Sequence, residues 1–250
     1  MALSSPPRRV LVVVPALNEE ATIDGVVRAL RRATYDVLVI DDGSSDRTGR
    51  RAESAGARVL RLPINLGVGG ALRLGFREAV RLGYDIVVQC DGDGQHDPSQ
   101  IDVLLGALDA RCLDLVIGSR FAASDDAYPL ARHRRLAIGV LSRIASRSAG
   151  TQITDPSSGF RAIGPRLLPV FARDYPAEYL GDTVEALVEA GRAGYAVGEV
   201  SVTMNERQGG TASAGSLAAS WYTLRVLIVI AIRWRRRGPV GQQSPASAEG

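Results

Sequence analysis

Lysine is absent from this 250-residue sequence, and histidine, cysteine and aromatic residues are scarce. All 30 basic residues are arginine, and there are two histidines and two cysteines. His96 and His133 give little support for histidine-based nucleophilic catalysis, and neither GxSxG nor HExxH occurs. Cys90 and Cys112 exclude a disulfide scaffold and fit a reducing cytoplasm. With 5% aromatic residues no base-stacking platform is apparent, and we expect no nucleic-acid partner.

A long apolar run is also missing. The longest one, Val226 to Ile232, is far shorter than the roughly 20 residues that cross a bilayer as a helix. The first residues, MALSSPPRR, are polar and contain no apolar signal-peptide core. We therefore expect the chain to stay in the cytoplasm, with any membrane contact made from the surface.

Short apolar runs alternate with helical patterns in the first half of the sequence. Val10 to Val14 is continuously apolar, which is typical of a strand covered on both faces. Further segments that fit strands, each followed by a polar or glycine-rich segment, are Val37 to Ile40, Arg58 to Leu62, Ile86 to Val88 and Leu115 to Gly118. This alternation predicts an α/β fold with a mostly parallel sheet and helices on both faces.

The pattern changes after Gly118. An Arg-rich helical stretch at 131–149 precedes TDPSSGFR, a helix near 183–190 and an alternating strand at 197–203. The sequence predicts a flexible N-terminus over 1–9, a main domain over 10–212, an amphipathic helix over 213–237 and a disordered tail over 238–250.

The stretch CDGDGQH, residues 90–96, follows a predicted buried strand and puts two acids one residue apart. In an extended chain Asp91 and Asp93 point the same way and can share a hard cation such as Mg²⁺ or Mn²⁺. Gln95 and His96 could add a ligand or a hydrogen bond. The alternative is an acidic surface turn, because DxD is common by chance. The position at a strand end, where open α/β sheets bind ligands, favours the metal.

Two other polar segments, PALNEE and DDGSSD, also end predicted strands and should meet CDGDGQH at one edge of the sheet. DDGSSD offers acceptors for a nucleobase edge and for ribose hydroxyls. It also fits an Asx-type turn in which Asp46 caps the next helix, and both descriptions can hold. NLGVGG lacks the Lys and the Ser or Thr of a phosphate-binding P-loop.

Seven segments occur in the order seen in family 2 glycosyltransferases: VVVPALNEE, VIDDGSSDRT, NLGVGGALRLGF, CDGDGQHDP, VIGSRF, ITDPSSGFRA and EVSVTMNERQGGTAS. Over about residues 10–214 the chain resembles dolichyl-phosphate and polyprenyl-phosphate mannose and glucose synthases. The resemblance implies a GT-A nucleotide-sugar-binding fold over 10–212. It also implies inverting transfer of a hexose from a UDP- or GDP-sugar to polyprenyl phosphate, with Mg or Mn as cofactor.

The resemblance also implies roles for individual residues. The family's donor-binding positions correspond to Pro15, Asn18, Glu19, Asp42 and Arg207. Its metal-holding positions correspond to Asp91, Asp93 and Gln95, and its catalytic positions to Asp93, Arg120, Arg134 and Glu185. Of the catalytic positions, the two arginines would grip the acceptor phosphate, whereas the role of Glu185 is left open.

The acceptor side departs from the family pattern at one position. Relatives often place a serine four residues after the arginine matched by Arg134, but this sequence has Ile138. A hydroxyl contact to the acceptor phosphate is then missing or is made by another residue, such as Ser142.

A phosphate monoester, with a second pKa of about 6, is already dianionic at neutral pH. It needs arginines and a cation for charge neutralisation rather than a base. The arginines of 132–147 also fit a solvated helix face.

The C-terminal apolar segment fits two environments. Some relatives carry transmembrane helices, and others, which this chain resembles, work with a separate small membrane protein partner. Trp221, with Arg225 and Arg233 to Arg237, suits a helix at an anionic membrane surface, which implies a peripheral location on the inner face of the cell membrane. The alternative is a core-packing helix with a basic end.

Two other functions are compatible with the sequence. One is a GT-A glycosyltransferase acting on a soluble or glycan hydroxyl, which would require a base such as Glu185 or Asp155. The other is a non-catalytic nucleotide-sugar-binding module that regulates a membrane partner.

Overall fold

The computed structural model describes residues 8–120, 132–176 and 182–205, with the backbone alone for 132–138 and 182. The strands are β1 Val10–Ala16, β2 Asp36–Asp41, β3 Arg58–Arg61, β4 Ile86–Gln89, β5 Leu115–Ser119, β6 Arg161–Ile163 and β7 Val197–Ser201. The helices are α1 Ile23–Arg32, α2 Thr48–Ser54, α3 Gly67–Arg81, α4 Ile101–Ala110, α5 Arg132–Ala149, α6 Leu168–Arg173 and α7 Asp182–Arg192. The predicted segments 213–237 and 238–250, residues 1–7 of the predicted N-terminal segment 1–9, and Arg207 lie outside the described residues.

The strands form one sheet in the order β3-β2-β1-β4-β6-β5-β7. All neighbours are parallel except β6, which runs antiparallel to both β4 and β5. The predicted mostly parallel α/β sheet is therefore confirmed. Neither β6 nor α6 was predicted, because RAI and LPVFAR are too short to show a periodicity of their own.

Apolar residues on the two faces of the sheet build two separate cores. On one face Val13 and Ile117 pack with α3, α5, α6 and α7. On the other face Val12 and Val116 pack with α1, α2 and α4. Alternate strand residues therefore enter opposite cores, which explains the continuous apolar runs within β1 and β5 and confirms the helices on both faces.

The antiparallel strand β6 brings a loop to the ligand-binding edge. Arg161, its first residue, pairs with Gln89 near the end of β4 and with Ile117 near the end of β5. Residues 154–160, here called the connecting loop, therefore lie between the carboxyl ends of these two strands. Across 8–120, 132–176 and 182–205, no helix combines the length and the apolarity needed to span a bilayer.

Candidate active site

The loops after β1, β2 and β4 meet at one edge of the sheet, as predicted. The side-chain oxygen of Asn18, after β1, accepts a hydrogen bond from the main-chain N–H of Ser45, after β2, at 2.9 Å. The hydroxyl of Thr22 donates to the carbonyl oxygen of Gly92, after β4, at 2.8 Å. Asn18 has φ of 55°, a left-handed conformation that asparagine tolerates better than most residues. Hydrogen bonds therefore join PALNEE to DDGSSD, and join Thr22, two residues after PALNEE, to CDGDGQH.

The two acids of CDGDGQH differ in exposure. Asp93 is 4% exposed, and its Oδ1 accepts from the main-chain N–H of Gln95 at 3.0 Å. The side chain of Asp91 is 42% exposed. Gly94 has φ of 81° and turns the chain sharply after Asp93, which a residue with a side chain would resist. One acid is thus fixed inside the loop, while the other faces outward.

A bare glycine in the connecting loop makes room for the outward acid. A Cβ atom on Gly159 would lie 2.8 Å from both carboxylate oxygens of Asp91. The described residues contain no cluster of three His, Cys, Asp or Glu side chains that could hold a metal. Two carboxylates and the Gln95 amide nevertheless fit Mg²⁺ or Mn²⁺, because such ions at nucleotide sites keep waters and phosphate oxygens as their other ligands.

His96 binds the main chain of this loop from inside the fold. It is buried, and its Nδ1 accepts a hydrogen bond from the main-chain N–H of Asp91 at 3.0 Å. Its ring stacks on Phe160, with centroids 4.7 Å apart. Since Nδ1 is the acceptor, Nε2 carries the ring proton, 3.8 Å from Asp91 Oδ2. The structure thus gives His96 a hydrogen bond to the loop, one of the two roles that the sequence left open.

The predicted nucleoside pocket lies beside α3. The Asp42 carboxylate accepts from the main-chain N–H groups of Leu66 at 2.8 Å and Gly67 at 2.9 Å, at the start of that helix. Burial raises the pKa of Asp42, and these two hydrogen bonds oppose the rise. Pro15 pairs with Ile40 across β1 and β2. The side chain of Asp42 is therefore held in one orientation at the pocket.

Glu19, another predicted donor-binding residue, contacts the start of α2. The main-chain N–H of Glu19 donates to the Thr48 hydroxyl at 2.8 Å. Asp46 Oδ1 accepts from the main-chain N–H of Thr48 at 2.8 Å, which is the predicted Asx-type turn at the start of α2. The nucleoside-binding roles of Pro15, Asn18, Glu19 and Asp42 stay predictions.

The predicted acceptor side contains Arg120, the residue after β5. Its side chain is 45% exposed, and its Nε lies 3.5 Å from Oδ2 of Asp155, whose side chain is 2% exposed. Ser142 of α5 donates its hydroxyl to the carbonyl oxygen of Ile153. That proton holds Ile153, the residue before the connecting loop, which is evidence against Ser142 replacing the missing serine. Arg134 lies in the first turns of α5, and its side chain is outside the described residues.

Glu185 lies on α7 and is 4% exposed. The start of α7 is fixed by Arg161, which is itself 2% exposed and donates from Nη1 to the carbonyl oxygen of Thr183 at 2.7 Å. The structure therefore places Glu185 inside the fold, on a helix anchored to β6. A catalytic role for Glu185 stays a prediction.

Met204 and Asn205, which precede Arg207 in the chain, lie beside the CDGDGQH loop. The main-chain N–H of Asn205 donates to the carbonyl oxygen of Gln95 at 2.8 Å, and Met204 pairs with His96. Arg207 follows two residues later, outside the described residues. The approach of Arg207 to the donor phosphates stays a prediction.

Several residues that shape the site were missed by sequence reasoning. Gly159 and Arg161 belong to the quoted segment ITDPSSGFRA, and Glu199 opens EVSVTMNERQGGTAS. Their positions within these segments indicated that they matter to the site. A single sequence does not show, however, which side chain a glycine such as Gly159 leaves space for. Their roles depend on β6, which brings distant residues together.

One sheet edge therefore combines an acidic pair, an acid beside the start of a helix and an arginine that contacts an acid. Residues 11–171 match the family model described as Glycosyl transferase family 2. The chain belongs to this family, and it is a glycosyltransferase with a GT-A fold. The non-catalytic alternative is therefore set aside.

Two similar bacterial proteins have names that refer to a polyprenyl phosphate or to its mannose derivative. The chain is 34% identical over 208 residues to the undecaprenyl-phosphate mannosyltransferase of Micrococcus luteus, covering 80% of this chain and 85% of that protein. It is 31% identical to the polyprenol monophosphomannose synthase of Mycolicibacterium smegmatis, covering 81% and 80%. The family resemblance seen in the sequence is thus confirmed.

Solved structures give the same fold. Glucosyl-3-phosphoglycerate synthase from Mycobacterium tuberculosis, in complex with Mn²⁺, UDP-glucose and phosphoglyceric acid, aligns with a TM-score of 0.69 at 26% identity. The alignment covers 90% of this chain and 79% of that one. The same enzyme in complex with Mg²⁺ and UDP also has a TM-score of 0.69, at 27% identity.

Proposed function

We propose that this glycosyltransferase moves a hexose from a UDP- or GDP-sugar to polyprenyl phosphate, with inversion at the anomeric carbon, at the cytoplasmic face of the membrane. The named activities of the bacterial relatives support the lipid phosphate acceptor. The complexes of the structural neighbour with Mn²⁺ and UDP-glucose support a nucleotide-sugar donor and a divalent cofactor.

The observation that carries this proposal is the placement of the connecting loop. One end of the loop brings Asp155 to Arg120, and the other brings Gly159 to Asp91. Asp91 and Arg120 follow β4 and β5, which are separated only by β6. Two strand spacings amount to about 10 Å. A diphosphate at the acids and a phosphate at the arginine would therefore be neighbours, as direct transfer requires.

The reaction is a single displacement. A phosphate oxygen of the acceptor attacks the anomeric carbon, and the carbon–oxygen bond to the nucleoside diphosphate breaks on the opposite face. The diphosphate leaves with the bonding electrons, and the configuration inverts. The dianionic acceptor needs no proton removed, which agrees with the structural use of His96.

Charge is the main obstacle to this reaction, because two anionic phosphates must come together. A cation held by Asp91, Asp93 and Gln95 would neutralise the leaving diphosphate. Arg120 provides a fixed positive charge for the acceptor phosphate. The protein therefore contributes positioning and electrostatics rather than an acid–base pair.

The structural neighbour favours a second candidate, a small phosphorylated acceptor that reacts through a hydroxyl. That neighbour is a glucosyl-3-phosphoglycerate synthase. A hydroxyl acceptor would need a general base. Asp155 already contacts Arg120 and accepts from the Ser157 hydroxyl at 3.1 Å, and Glu185 is buried. The lipid phosphate is therefore the better-supported acceptor.

Radiolabelled UDP- and GDP-hexoses, incubated with Mn²⁺ and either polyprenyl phosphate in vesicles or 3-phosphoglycerate, would test the proposal. We expect label in the chloroform-extractable fraction only with the lipid, and none with Asp93→Ala. Label that enters only water-soluble product would overturn the lipid acceptor. A chain inactive with both acceptors and all donors would contradict both candidates.

A further inference from the structure

Glu199 of β7 binds the beginning of the connecting loop with both carboxylate oxygens. Oε1 accepts from the main-chain N–H of Asp155 at 2.8 Å, and Oε2 accepts from that of Thr154 at 2.8 Å. Oε2 also accepts from the Thr154 hydroxyl at 2.8 Å. Hydrogen bonds to a charged acceptor are stronger than neutral ones. Glu199 thus fixes two residues that lie about 45 positions earlier in the chain.

Two chains of contacts lead from this anchor to Arg120. The Thr154 hydroxyl lies 2.9 Å from the hydroxyl of Ser119, the fully buried residue that precedes Arg120. The carboxylate of Asp155 lies 3.5 Å from the Nε of Arg120. One route holds the side chain of the residue just before the arginine, and the other holds the guanidinium.

The same segment is also fixed from the opposite side. Ser146 of α5 accepts from the main-chain N–H of Ile153 at 2.9 Å, one residue before Thr154. Helix α5 also carries Arg134. Glu199 and Ser146 therefore secure this short segment between the strand and the helix of the acceptor side.

We propose that Glu199 is a positioning residue for the acceptor phosphate. By holding Thr154 and Asp155, it sets the direction of the planar Arg120 guanidinium, whose value for phosphate recognition depends on orientation as well as on charge. This inference rests on the proposed function, because it takes the acceptor phosphate as the group that Arg120 binds.

Asp114 provides a matched control for Glu199. It is also a carboxylate at the β5–β7 seam, and its Oδ2 accepts from the main-chain N–H of Ala196 at 2.9 Å. It lies just before β5, at the end of the seam opposite to Arg120. Glu199→Gln and Asp114→Asn each replace a carboxylate that holds main chain, but only the first contacts the connecting loop.

The test is steady-state transfer to a short prenyl phosphate, with the KM measured separately for donor and acceptor. We expect Glu199→Gln to raise the acceptor KM about tenfold, because a misdirected guanidinium loses part of its contact. The donor KM should stay within about twofold, as should both values for Asp114→Asn. In an Arg120→Ala background, Glu199→Gln should add little, because its effect passes through the arginine.

Two results would overturn the inference while the proposed function stands. One is an equal acceptor KM for Glu199→Gln and Asp114→Asn. The other is a double mutant, Glu199→Gln with Arg120→Ala, whose acceptor KM rises by the product of the two single-mutant factors. A wild-type chain that transfers no sugar to prenyl phosphate would refute the proposed function and the inference together. If Glu199→Gln does not fold, Thr154→Val removes the hydroxyl route, keeps the side-chain shape and is judged by the same measurements.

Discussion

The proposed donor side and the proposed acceptor side of this site are built in different ways. On the donor side, acids from contiguous motifs follow parallel strands, and neighbouring loops bond directly to each other. On the acceptor side, Arg120 is held by Asp155, which is held by Glu199, and the three are far apart in sequence. Parallel strand ends assemble a site by topology alone, whereas the acceptor side depends on one antiparallel strand and the loop that enters it.

The largest expected effect comes from removing the anchor of the connecting loop. Arg161 is 2% exposed and donates to the carbonyl oxygens of Pro156, Ser158 and Thr183 at 2.7, 2.8 and 2.7 Å. Arg161→Met leaves these acceptors without that donor, and we expect a loss of about 3 kcal/mol or more in the free energy of unfolding. Urea denaturation measures it.

Arg8→Met is the matched control for this change. Arg8 pairs with Asp109 at 2.6 Å, but both side chains are about half exposed, and such a pair contributes roughly 0–1 kcal/mol. If Arg161→Met were no more destabilising than Arg8→Met, the buried guanidinium would not be what holds the loop. The acceptor side would then not depend on β6 and its buried arginine, and the contrast with the donor side would not hold.

The extent to which sequence predicted this molecule follows the same division. Apolar runs such as 10–14 mark strands wherever both faces are covered, and polar residues at their ends lie at the ligand edge, so the sheet and the acidic loops were predictable. Strand β6 contributes three residues, one of them the buried Arg161, and such a segment carries no periodic signal. What Glu199, Asp155 and Gly159 do follows from β6, and therefore only the structure shows it.

The next largest effect concerns the space that the connecting loop leaves for the carboxylate of Asp91. In Gly159→Ala the new Cβ would lie 2.8 Å from both oxygens of Asp91, so this flexible carboxylate must turn away. We expect activity to fall about 100-fold through misplacement of a metal-binding group, with weaker binding of Mn²⁺ and UDP by calorimetry.

Gly106→Ala in α4 separates this effect from the general cost of an added methyl group. Nothing lies within 4 Å of a Cβ at Gly106. Replacement of a mid-helix glycine should therefore add about 0.5–1 kcal/mol of stability and leave activity unchanged. Wild-type affinity of Gly159→Ala for Mn²⁺ and UDP would show that the connecting loop does not control the donor side.

The smallest expected effect concerns Asp42, which belongs to the proposed donor side alone. Burial raises the pKa of this carboxyl above its ordinary value of 3.8, so ionisation costs the folded chain more than the unfolded one. That penalty is absent below the ordinary pKa and complete above the raised pKa. The stability of the wild type relative to Asp42→Asn, which cannot ionise, should therefore fall as the pH rises through this interval. Urea denaturation of both proteins without nucleotide measures the difference, and a constant or rising difference would mean that the hydrogen bonds from Leu66 and Gly67 outweigh burial.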